Sequence, residues 1–236
     1  MQYPGVHGAR TNTGSERISP LGRSEESTSV AMILSVAGGY LDAFTWVAHD
    51  GVLANAQTAN VVLLGVYAAM AQWEQAFRHV PPIFAFVLGV SVAYRLRAGA
   101  DVRKMERIAL LCLVVEIVVL AAVMILHLRL PSVAGTLGIS FAAALQTATF
   151  AKVEGRGYSS VMVTGNLRSA VELVCVGWAE QRDPGALRQA RTLITICLAF
   201  ATGAGVGAFA TTALGSAALA VPILLLLAAL ALCRRT

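Results

Sequence analysis

The chain is short of charge: Asp, Glu, Lys and Arg make up only 13% of its 236 residues, where a soluble domain carries about 25%. That shortage argues against an ordinary soluble fold of this length. Cysteine is scarce and unclustered. Cys112, Cys175, Cys197 and Cys233 fall in apolar stretches with no paired spacing, which argues against a disulfide framework or a cysteine metal site, so they read as buried thiols. There is no phosphate-binding glycine loop, no HExxH pattern, no pair of His ligands and no Ser–His–Asp set. Catalysis and ATP-driven transport by this chain alone are therefore not expected. No catalytic residue, cofactor or metal is called for. A net charge of +5 is of the sign a nucleic-acid partner needs, but the cations have a better explanation below.

What the chain does have is hydrophobic length, with 57% hydrophobic residues and a mean hydropathy of +0.69. A helix needs roughly 20 apolar residues, rising about 1.5 Å each, to cross a hydrocarbon core of about 30 Å. Residues 29–48, 80–97, 107–127, 132–151, 190–211 and 214–233 each meet that condition. One such run suits a buried soluble helix; six require a bilayer. The expected fold is therefore an all-α membrane protein. Residues 1–28 are of another kind, with Arg10, Arg17 and Arg23 against Glu16, Glu25 and Glu26. They read as a solvated, disordered tail rather than a secretory signal.

Two further apolar stretches, 52–72 and 158–178, leave six spans competing with eight. Lys and Arg concentrate on cytoplasmic segments of membrane proteins, and that rule separates the counts. With six spans and a cytoplasmic N-terminus, all of the 18 cations except Arg78 and Arg129 fall inside. With eight spans the partition falls to 11 against 7. Six spans with both termini cytoplasmic is the expectation.

Shifting the chain by 106 residues places Phe44, Val47, Gly51, Thr58 and Asn60 on Phe150, Val153, Gly157, Thr164 and Asn166. A shift of 114 then pairs Phe86, Gly89 and Val92 with Phe200, Gly203 and Val206. The halves are 29–127 and 132–233, each with three spans and one odd stretch. An odd number of spans forces the second half to enter from the opposite face, a 3+3 inverted repeat of the kind that recurs in transporters. The odd stretches also hold polar residues: Asn55, Gln57, Thr58 and Asn60 in one, Thr164, Asn166, Arg168 and Glu172 in the other. They read either as two broken or re-entrant segments converging on a shared cavity, or as helix-to-helix hydrogen bonding.

Gly39, then Asp42-Ala43-Phe44, Thr58-Ala59-Asn60 and Leu64-Gly65 resemble the signature of the YoaK-like bacterial membrane proteins, a domain of unknown function. Thr164-Gly165-Asn166 keeps that family's Thr-Gly-Asn motif, while Ala59 stands where its first copy has Gly. The resemblance spans about residues 30–233. It implies a multi-pass protein of the bacterial inner membrane with about six spans and no established substrate.

Asp42 lies deep in the first span and Glu116 mid-way along the third. A charge at the bilayer centre costs about 2.5–3.5 kcal/mol on the insertion scale, so such residues face the protein interior and are functional suspects. Either acid is a candidate proton carrier or a structural hydrogen-bonding group. Arg168 and Glu172, four apart on one helix face, read as a self-neutralising pair or an anion site. Gln146 lines the same cavity or packs. The expected substrate or ion pathway is thus Asp42, Thr58, Asn60, Glu116, Gln146, Thr164, Asn166, Arg168 and Glu172. The expected partners are the lipid bilayer, a small solute or proton and a second copy of the chain, with no nucleic acid. The expected function is a small-solute secondary transporter or channel. The alternative is an accessory membrane subunit that binds another membrane protein through Gly-rich faces.

Overall fold

The computed structural model describes residues 26–129, 131–180 and 183–234; most of the polar tail expected over 1–28 lies outside them. Nearly all of the described chain is helix, in the order α1 (Thr28–Ala48), α2 (Gln57–Ala69), α3 (Trp73–Arg78), α4 (Val80–Arg97), α5 (Val102–Leu126), α6 (Ser132–Thr149), α7 (Val163–Cys175), α8 (Pro184–Leu214) and α9 (Ala220–Arg234). A small antiparallel hairpin, β1 (Lys152–Val153) with β2 (Arg156–Gly157), joins α6 to α7. Local chemistry sets several boundaries. The Asp101 carboxylate accepts the Lys104 N–H at 2.8 Å and caps α5, and Asp183 caps α8 ahead of Pro184, satisfying donors that a helix start leaves open. Pro81 and Pro82 sit in the first turn of α4, where a missing N–H costs nothing.

Among the described residues, four helical stretches are long and apolar enough to cross a membrane: Thr28–Ala48, Trp73–Arg97, Arg103–Leu126 and Pro184–Arg234. The last runs 51 residues and is divided into α8 and α9 at Gly215, whose φ of +57° is one that glycine adopts readily. α6 falls outside that set, diluted by Thr136, Ser140, Gln146, Thr147 and Thr149. The periphery is apolar as well as the core. Phe84, Tyr94, Ile125 and Phe209 are all exposed, and helices apolar on every side suit a hydrocarbon surround.

The helices interlock in a pattern that repeats. α1 packs on α8 and α9, α6 packs on α4 and α5, and α5 meets α9. Exchanging α1 with α6, α4 with α8 and α5 with α9 returns the same set of contacts. Small residues allow the closest crossings. A Cβ on Gly203 would lie 2.0 Å from the Val36 carbonyl oxygen, and one on Gly39 would lie 2.0 Å from that of Phe200, locking α8 to α1. On the other side Gly89 of α4 meets the Phe141 carbonyl of α6 at 2.6 Å in the same sense. Gly89 and Gly203 are the pair aligned in the sequence, and both serve the approach of one half to the other.

α2 and α7 are the odd stretches, each 13 residues long as α-helix; α2, at about 20 Å, is too short for a core of about 30 Å, whereas α7 runs on as a π-helical turn over Val176–Glu180. They occupy matching registers, 57–69 and 163–175, offset by the same 106 residues found in the sequence. Asp50 before α2 pairs with Arg78 after it at 3.7 Å. Around α7, the preceding hairpin borders a recess with Gln189 and Thr192 of α8. That hairpin is also held at the start of α1, where Thr28 Oγ1 donates to Glu154 Oε1 at 2.7 Å.

Candidate functional site

Two asparagines fold the chain back into the bundle, and they do it identically. The Asn60 amide donates to the Leu53 carbonyl at 2.6 Å and accepts the Leu53 N–H at 3.2 Å. The Asn166 amide donates to the Ser159 carbonyl at 2.7 Å and accepts the Ser159 N–H at 3.0 Å. In each case the partner lies seven residues back, and the side chain mimics a strand neighbour for an extended segment that has none. Both asparagines are buried. Asn60 is tied further, to Gln57 Oε1 at 3.1 Å and to His79 Nδ1 at 3.1 Å, with His79 stacked on Tyr67.

The clamped segments meet at the middle of α1. Asn55, just before α2, donates its amide to the Gly38 carbonyl at 3.0 Å. The Ser160 carbonyl, just before α7, lies 2.9 Å from where a Gly38 Cβ would stand. The starts of α2 and α7 therefore approach one point from opposite ends of the bundle, and each is answered by a buried acid. The Asp42 carboxylate accepts the Asn55 N–H at 2.7 Å and also the Ala56 N–H, at the opening of α2. Glu116 of α5 reaches the approach to α7 through Gln146 of α6. With its nitrogen facing Glu116, the Gln146 amide donates to Oε2 at 2.8 Å and to Oε1 at 3.2 Å, while its oxygen accepts from Ser160 Oγ at 2.9 Å. A helix start carries partial positive charge from its open N–H groups, so an acid placed there is stabilised. That arrangement offsets part of the desolvation of Asp42, while Glu116 is answered by the Gln146 amide; each carboxylate is at most 5% exposed. Asn55 Oδ1, also buried, has no partner among the described residues.

A family model described as a protein of unknown function, DUF1275, matches residues 30–232. The chain belongs to that family. No curated protein matches it, and no solved structure does.

In this DUF1275 chain the nine residues expected to form a pathway divide in two. Asp42, Asn60, Glu116, Gln146 and Asn166 are buried around the meeting point. Thr58, Thr164, Arg168 and Glu172 lie on the outer faces of α2 and α7, with Arg168 Nε donating to Glu172 Oε1 at 2.8 Å. The tie to Glu172 lifts the Arg168 side chain no closer to the interior; it remains on the surface of α7.

His49 and His127 were not among the expected site residues. Both border a cavity of about 260 Å³ beside the ends of α1 and α5 and the start of α6. His49 is half-buried, edge-on to Phe44, and its Nδ1 lies 2.8 Å from Thr136 Oγ1. Burial holds this imidazole below its usual pKa, against a smaller upward pull from Asp50. None of the nine expected residues borders the cavity. No sequence spacing links position 49 to 127, so only the packing of α1 against its neighbours brings them together.

Proposed function

We propose that the chain is a multi-pass protein of the bacterial inner membrane, crossing it six times as a 3+3 inverted repeat with both termini cytoplasmic, and that it passes a small solute as a secondary transporter or channel. The observation that carries this reading is the meeting of the openings of α2 and α7 at Gly38, with buried Asp42 at the first and buried Glu116 linked to the approach of the second through Gln146. Half-helices whose starts lie inside the bundle are the plan on which transporter sites are built, and non-helical backbone at that depth needs protein or water around it.

Several contacts support six crossings over eight. His49 at the end of α1 touches Thr136 of α6 and shares a cavity with His127 at the end of α5. Eight crossings would put positions 49 and 127 on opposite faces. The Asp50–Arg78 pair likewise supports an α2 that returns to the face it left. The 51-residue stretch Pro184–Arg234, divided at Gly215, supplies two crossings of about 20 residues or more.

The acids give the transport reading its sharp form. Asp42 holds the opening of α2 by accepting two backbone N–H groups, so a change in its protonation alters what holds that half-helix in place. Coupling of solute movement to protons through Asp42 follows. The test is flux in proteoliposomes: stopped-flow reswelling in glycerol or urea gradients, with an internal pH dye. Faster reswelling than in empty vesicles, and a proton signal lost in Asp42→Asn, is the expected result. A proton signal that Asp42→Asn leaves unchanged removes the proton-coupled form. Vesicles no more permeable than controls, together with a membrane subunit that co-purifies in mild detergent, favour the accessory reading. The chain is proposed to act without enzymatic chemistry.

A further inference from the structure

We propose that the cavity between the ends of α1 and α5 and the start of α6 binds one divalent transition-metal ion through His49 Nε2 and His127 Nε2. The case begins with the hydrogen bonds at the other ring nitrogens. Thr136 Oγ1 lies 3.2 Å from the Ser132 carbonyl and 2.8 Å from His49 Nδ1; with its proton on the Ser132 carbonyl it accepts from the His49 Nδ1–H. His127 Nδ1 faces the Met124 carbonyl at 3.0 Å, and a carbonyl only accepts, so this Nδ1 carries the hydrogen as well. In neutral imidazole one nitrogen donates and the other accepts. His127 is thus held in the tautomer that leaves the Nε2 lone pair free, and the Thr136 contact accommodates the same tautomer at His49, the arrangement metal-binding histidines show when an outer partner takes the far N–H.

Position places both rings at one cavity. A Cβ on Gly135 would stand 2.8 Å from His49 Cε1 and 3.4 Å from Val123 Cγ1, and Val123 is one helical turn before His127 on α5. Both histidines border the same cavity of about 260 Å³, which leaves room for water to complete the coordination. Ser132 and Ser216 add hydroxyl oxygens, and among the described residues no carboxylate, Lys or Arg borders it. The ends of α1 and α5 bring partial negative charge to the cavity against the one helix start of α6, a balance that favours a cation. Among the described residues no three His, Cys, Asp or Glu side chains gather as a metal cluster. The site therefore has two side-chain nitrogens and open positions, suited to an exchangeable ion rather than a structural one.

The test is titration calorimetry of Zn²⁺ into the full chain purified in detergent, with circular dichroism to confirm folding of each variant. One Zn²⁺ per chain is expected, with affinity falling about tenfold or more in His49→Ala, in His127→Ala and in Thr136→Val, which removes the partner of His49. His127 lies on an exposed turn, so His127→Ala tests the site even if His49→Ala does not fold. Ser216→Cys, which adds a thiolate beside the ion, should tighten binding. No binding by the unaltered chain, affinity unchanged in His127→Ala, or affinity lost in His7→Ala would each overturn the assignment. Calorimetry reads the metal without flux, so this outcome is independent of the transport proposal.

Discussion

Replacing Asn166 with alanine should destabilise the protein by about 2–4 kcal/mol. The side chain closes two hydrogen bonds on one backbone unit, donating to the Ser159 carbonyl at 2.7 Å and accepting its N–H at 3.0 Å. Alanine leaves both groups open, and an unpaired buried polar group costs about 1–3 kcal/mol. Ser159 is only half-buried, so water recovers part of the cost and the lower half of the summed range applies. Asn60→Ala should cost about 1 kcal/mol more, because Gln57 and His79 lose a partner too. Asn166→Asp should be no better than Asn166→Ala. It can accept from the Ser159 N–H, but it sets a carboxylate oxygen against the Ser159 carbonyl. The assay is reversible unfolding in mixed detergent micelles followed by circular dichroism. A pathway-lining asparagine would behave differently, altering flux while leaving the unfolding midpoint in place. Asn60→Ala and Asn166→Ala both within about 0.5 kcal/mol of the parent, the range of ordinary surface changes, would refute the clamp.

Glycines on one helix should separate sharply by position. Gly203→Ala drives a Cβ to 2.0 Å from the Val36 carbonyl and should cost about 1–3 kcal/mol by overpacking, whereas Gly205→Ala meets nothing within 4 Å and should be neutral or stabilising by up to about 1 kcal/mol; equal midpoints would contradict the α1–α8 crossing. Glu116→Gln keeps an oxygen for the Gln146 amide and should fold near normally, while Glu116→Leu strands that amide and should lower the thermal midpoint clearly, as measured by light scattering on heating. Asp42→Ala should be less stable than Asp42→Asn for a parallel reason, since only the second retains an oxygen for the Asn55 N–H. Arg168→Gln, on an exposed face of α7, should leave the midpoint unchanged, and a large loss there would place that face against a partner.

Much of the architecture was legible because hydrophobic length and repetition are local signals. The expected runs 80–97 and 132–151 correspond to α4 and α6 within two residues at each end. The 106-residue offset read from scattered identities recurs in the bounds of α2 and α7. Of the glycines spaced along α8, Gly203 and Gly207 meet α1, whereas Gly205 faces open space. Periodicity cannot tell which side of a glycine-rich helix has a neighbour. The site was legible only as a set of residue types. Asn60 and Asn166 stood out, but their partners seven residues back appear only once the chain doubles over. The Glu116–Gln146–Ser160 chain depends on the register of α5 against α6, which no single-helix pattern encodes. Ala59, where the resembled family has Gly, proved compatible with the break: α2 begins two residues earlier, at Gln57, and the reversal is made by Asp50 and Gly51, both at positive φ.

The central claim is that α2 and α7 each leave and re-enter at one face, and single-cysteine labelling tests it directly. With the four native cysteines replaced, one cysteine is placed at Ala48, Gln75, Gly157 or Arg188, and intact cells are treated with an impermeant maleimide. Ala48 and Gln75 flank α2, and Gly157 and Arg188 flank α7; all four positions are exposed. The account predicts that Ala48→Cys and Gln75→Cys label in intact cells, and that Gly157→Cys and Arg188→Cys label only after permeabilisation. Unlike labelling of the two positions within either pair would mean that the half-helix between them crosses the membrane, and would contradict the inverted repeat.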